Sequence, residues 1–93
     1  MGIETAVRVR VSGRVQGVWF RAWTERTALE LGVSGWVRNA PDGTVEALIG
    51  GSADAVKQMV ARLHDGPDMA RVDRVVTLPA EVDEVPGGFE IRR

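Results

Sequence analysis

Cysteine and tyrosine are absent from this chain of 93 residues, and histidine occurs once, as His64. Without cysteine there is no disulfide, no thiolate metal ligand and no thiol nucleophile, a composition that suits a reducing compartment. A surplus of either charge is also missing. Twelve Lys and Arg stand against thirteen Asp and Glu, for a net charge of −1. That balance lacks the overall basic footprint with which nucleic-acid binders meet a phosphate backbone. No apolar run approaches the ~20 residues of a membrane-spanning helix. The opening Met-Gly-Ile-Glu-Thr has neither the basic nor the apolar region of a signal peptide. The expectation is one cytoplasmic domain over residues 1–93, with no membrane or nucleic-acid partner. No long apolar surface stripe demands a second copy, so a monomer is expected.

Hydrophobic residues are plentiful at 44%. A domain of this size buries roughly two-thirds of its unfolded surface, enough for a core without staples. Charge is unevenly placed. Arg8, Arg10, Arg14, Arg21 and Arg26 are opposed over that stretch only by Glu4 and Glu25. A local positive site for a small anion fits this pattern better than a surface for a polymer.

Val7, Val9 and Val11 alternate with Arg8, Arg10 and Ser12, the period of a half-buried strand. Gly13 and Gly17 interrupt it and mark a loop. From Phe20 the apolar spacing becomes helical through Trp23, Thr27, Ala28 and Leu31, and Gly32 is a stop. Val33 to Asn39 and Thr44 to Ile49 read as strands joined by the turn residues Ala40-Pro41-Asp42-Gly43. Ser52 is a good N-cap for a second helix with a buried stripe of Val56, Met59, Val60 and Leu63, ended by Gly66-Pro67. A fourth strand over Ala70 to Leu78 places Val72, Val76 and Leu78 on one face. A short strand around Phe89 and Ile91 closes the chain. The order β-α-β-β-α-β, with this small extra strand, is that of an α+β ferredoxin-like sandwich, a mostly antiparallel sheet with both helices on one face.

The informative stretch is Gly13 to Arg21, where a strand passes through a glycine-containing loop into a helix. Backbone N–H groups in such a turn can converge on an anion, helped by the positive end of the helix. Arg21 could add a bidentate contact to phosphate oxygens. The loop is neither a Walker loop nor a dinucleotide fingerprint, because the glycine spacing differs from both. Two glycines alone would better suit a tight connection beside a solvated arginine.

The full segment Gly13-Arg14-Val15-Gln16-Gly17-Val18-Trp19-Phe20-Arg21 resembles the signature of the acylphosphatase family. A second block follows, as Gly35-Trp36-Val37-Arg38-Asn39 and then Asp42-Gly43-Thr44-Val45-Glu46. The likeness continues through Gly66-Pro67, Ala70-Arg71-Val72 and Phe89-Glu90-Ile91. The resemblance implies a small ferredoxin-like enzyme that hydrolyses acyl phosphates to a carboxylate and inorganic phosphate, without cofactor or metal. It implies that the amides of Gly13, Arg14, Val15, Gln16, Gly17, Val18 and Trp19 cradle the phosphate, that Arg21 binds it, and that Asn39 orients the attacking water. Trp19 falls where the family varies. Similar domains also begin large carbamoyltransferases, so a non-catalytic module binding phosphate or carbamoyl phosphate is the alternative.

The residues add their own constraint. His64 sits near the end of the second helix, where it suits the dipole, and Asp42 reads as a turn former. Arg38 is placed to pair with Glu46 across the hairpin, and Trp23 and Trp36 read as packing. With so few acid–base groups, a carboxylate leaving group, whose conjugate acid has a pKa of about 4, suits the site better than an alkoxide.

Overall fold

The computed structural model describes residues 2–93. The chain runs β1 (Thr5–Arg14), α1 (Phe20–Leu31), β2 (Ser34–Asn39), β3 (Val45–Gly51), α2 (Ala53–Asp65), β4 (Arg71–Pro79), a short 3₁₀ turn (Val82–Glu84) and β5 (Phe89–Arg92). One five-stranded sheet has the order β4-β1-β3-β2-β5. Every neighbouring pair is antiparallel except β2–β5, which is parallel. The expected ferredoxin-like α+β architecture is the one observed.

Alternation decides which face is covered. Val9 and Val11 of β1, Val37 of β2, and Val45, Ala47 and Ile49 of β3 share a core with Phe20 and Ala28 of α1 and Val56, Met59 and Leu63 of α2. Both helices therefore cover one face of the sheet. Ser52 caps α2 through its hydroxyl, which accepts from Ala55 N at 3.1 Å. Gly32 ends α1 in the left-handed region, with its N–H on Ala28 O. On the opposite face Trp36 is buried beneath the guanidinium groups of Arg8, Arg38 and Arg92, each 5.2–5.6 Å from its ring.

Two expectations need correction. Strand β1 does not stop at Gly13 but continues to Arg14. Beside it β4 carries a bulge: Ser12 faces Arg74 while Gly13 faces Val72, leaving Asp73 unopposed. The extra residue reverses the alternation of β4. Val72 and Val75 pack on the core, whereas Leu78 is largely exposed, so Val72, Val76 and Leu78 do not share a face. Gly13 is required here, because a Cβ would lie 2.1 Å from Arg71 O.

Candidate active site

The segment between β1 and α1 is anchored by two buried side chains, Val15 and Val18, which are 1% and 9% exposed. With those chains turned into the core, the backbone between them is presented outward. Gly17 adopts φ 73°, a left-handed conformation that glycine takes without cost. Among the described residues, no backbone N–H from Gln16 to Ala22 donates to a protein acceptor. The first to do so is Trp23 N, to Trp19 O at 2.9 Å. The first turn of α1 has no acidic side chain and no side-chain cap. Free amides and a positive helix end thus converge without a competing carboxylate.

A pocket of about 660 Å³ opens there. Gly17, Trp19 and Arg21 line one side of it, and Asn39 lines another. Arg21 forms no ion pair with any described residue, in contrast to Arg8, Arg10 and Arg38, which are bridged to Glu84, Asp42 and Glu46. No Asp or Glu contributes to the lining.

Asn39 is placed by the end of β2, opposite Val45 of β3. The turn beyond it is held by Ala40 N to Thr44 O at 2.8 Å and Gly43 N to Ala40 O at 3.2 Å. One side chain joins this turn to the loop. Gln16 Nε2 donates to Ala40 O at 2.8 Å and to Thr44 O at 2.9 Å.

The family model described as Acylphosphatase matches residues 7–91. The chain belongs to the acylphosphatase family. An acylphosphatase from Rhizobium etli is 55% identical over 92% of this chain and 92% of its own length. Another, from Nitrosococcus oceani, is 52% identical over 95% of this chain and 98% of its own. The crystal structure of acylphosphatase from Bacillus subtilis superposes with a TM-score of 0.90 at 32% identity, covering 95% of this chain and 98% of that one.

Within this acylphosphatase fold the nine motif positions do not all stand together. Val15, Gly17, Trp19, Arg21 and Asn39 line the pocket. Gly13 and Arg14 lie in β1, paired with Val72 and Arg71, and neither lines it. Gln16 and Val18 act from behind, one through its amide staple and one as a core anchor. His64 lies in the last turn of α2 and is not among the lining residues. Sequence reasoning missed Ile91 and Arg93, which line the same pocket.

The turn under Asn39 is braced electrostatically. Asp42 accepts from Thr44 Oγ1 at 2.7 Å and from Thr44 N at 3.0 Å, and pairs with Arg10. The Thr44 hydroxyl and amide, with a smaller contribution from Arg10, hold its carboxyl below the usual carboxylate range. A carboxyl depressed in the folded state contributes stability above its unfolded pKa and loses it as pH falls through the folded value. Asp42→Ala therefore lowers the melting temperature at neutral pH, and the gap to wild type narrows in acid as the carboxyl is protonated. Thermal melts at neutral and acid pH check this; a gap that persists in acid would show that the carboxylate charge is not the cause.

Proposed function

We propose that this acylphosphatase-family enzyme holds its substrate's phosphate with the backbone amides of the Gln16–Trp19 part of the Gly13–Trp19 loop and the first turn of α1, clamps it with Arg21, and orients the attacking water with Asn39. The enzyme hydrolyses acyl phosphates to a carboxylate and inorganic phosphate. The observation that carries the assignment is the run of unengaged N–H donors from Gln16 to Ala22, beside an unpaired Arg21 and without a lining Asp or Glu side chain.

The chemistry follows from what these residues offer. Amides and a guanidinium aimed at one point stabilise charge on the transferring phosphoryl group. Water oxygen bonds to phosphorus as the anhydride P–O bond breaks, and the electron pair leaves on a carboxylate. With a conjugate-acid pKa of about 4, that leaving group needs no protonation. The water proton passes to an oxygen of the phosphate itself, since among the described residues no Asp, Glu or His side chain lines the pocket.

A cysteine-free composition supports a cytoplasmic setting. Among the exposed apolar residues, Leu29 lies on α1, Met69 in the connection between α2 and β4, and Leu78 on β4, a scatter that supports a monomer. Among the described residues no helix is long and apolar enough to cross a membrane. Residues 1–93 then act as one domain on a small free substrate, not on nucleic acid.

Phosphate release from acetyl phosphate, beside a phosphate monoester, tests the assignment. Acetyl phosphate is expected to turn over and the monoester to stay at background, with the rate unchanged by EDTA. Among the described residues, no group of three or more His, Asp or Glu could hold a metal ion. Loss of activity on chelation, restored by Mg²⁺, would count against the mechanism.

A further inference from the structure

Phosphate occupies only part of this pocket. Its ~660 Å³ falls within the roughly 300–1,000 Å³ that accommodates a whole small-molecule ligand, so the space beyond the amides and Arg21 is room for the acyl group. Trp19 gives that room its character. It lines the pocket, yet the residue is 79% exposed. Among the described residues its ring pairs with no other ring and no guanidinium: Trp23 pairs with Phe20, and the arginines gather on Trp36.

Packing does not account for a tryptophan there. Its backbone carries φ 67°, the only positive φ outside glycine among the described residues. For a bulky residue that conformation is costly, and such costs gather at functional sites. The backbone is nonetheless fixed, because its carbonyl accepts from Trp23 N in the opening turn of α1. A fixed backbone therefore holds an unpartnered indole at the pocket. Ile91 of β5, 38% exposed, lines the same space. Arg93 lines it too, and its guanidinium can lie against an aromatic face.

We infer that Trp19 is a specificity-determining contact for the acyl group, and that with Ile91 it favours acyl phosphates whose acyl group is a flat aromatic ring. This rests on the acyl-phosphate reading above. In an aroyl phosphate the ring is bonded directly to the anhydride carbonyl. Anchoring the phosphate in the loop therefore carries the ring to the loop's last residue, Trp19. Offset or edge-on stacking then adds to the area buried against Ile91. An acetyl group is too small to reach both.

The test compares kcat/KM for benzoyl phosphate and acetyl phosphate in wild type, Trp19→Gly and Trp19→Phe. Glycine takes the left-handed backbone without strain, and any loss common to both substrates cancels in the ratio. Wild type is expected to prefer benzoyl phosphate. Trp19→Gly should lower the benzoyl-to-acetyl ratio about tenfold, equivalent to about 1.4 kcal/mol, mainly through KM for benzoyl phosphate. Trp19→Phe should keep the ratio within about twofold, since a ring remains to stack. Equal losses on both substrates, or an unchanged ratio, overturn the inference. So does a wild type that hydrolyses acetyl phosphate without preferring benzoyl phosphate, and in that case the acyl-phosphate reading stands. If wild type hydrolyses neither substrate, the acyl-phosphate reading fails and takes this inference with it.

Discussion

Arg21→Gln is expected to lower kcat/KM for an acyl phosphate by about 10³-fold or more, the scale on which charge-stabilising donors and arginines act in phosphoryl transfer. Glutamine keeps a polar side chain of moderate length but removes the charge and the fork that grips two oxygens at once. Stability should barely change. Arg21 is partly exposed in the first turn of α1 and has no ion-pair partner among the described residues, and such surface positions usually shift stability by only about 0.5 kcal/mol. Inorganic phosphate supplies a second readout. A ligand of the native state stabilises it by about 2.7 kcal/mol at a hundredfold excess over Kd, which a thermal melt detects. Wild type should show that shift and the variant should lose it. A variant that is stabilised by phosphate as strongly as wild type would place the anion elsewhere.

Asn39→Ala is expected to divide the kinetic constants differently. Its kcat should fall by about 10²-fold, the order of loss when a reacting group is mispositioned by about an ångström. The inhibition constant of phosphate should stay within about twofold. Asn39 stands on a different element from the free amides: it ends β2, opposite Val45, while they belong to the loop and the first turn of α1. A group that orients water acts on the chemical step, whereas anchoring belongs to the loop. If phosphate affinity collapses and kcat survives, Asn39 is an anchor and the water needs another partner.

The period-two run through Val7, Val9 and Val11, the helical spacing from Phe20, and the Ala40 to Gly43 turn made most of the fold legible, because each pattern is set within a few residues. The bulge was not legible. Nothing near Asp73 in the sequence signals that it lacks a partner; only the pairing of β4 with β1 creates it. The motif singled out the loop, Arg21 and Asn39, but it could not separate residues that line the pocket from those that support it. Gly13 shows why. Its glycine is explained by the close approach of Arg71 O, a contact with a strand far along the chain. Ile91 and Arg93 were missed for the same reason, since β5 reaches the site only by adding to β2 in parallel. Trp19 was visible as a residue, but its exposure and backbone conformation were not.

The double hydrogen bond from Gln16 has a consequence for the thermodynamics of turnover. By fastening the loop to Ala40 and Thr44, it ties the free amides to the turn that follows Asn39. On the proposed reading, phosphate meets a loop whose main chain is already held at Gln16, which lessens the entropy of ordering its receptor. The dipoles are already oriented before charge develops, and the protein has little reorganisation to perform during the reaction itself. On that reading a small domain gains through two hydrogen bonds the preorganisation that larger enzymes obtain by closing around their substrates.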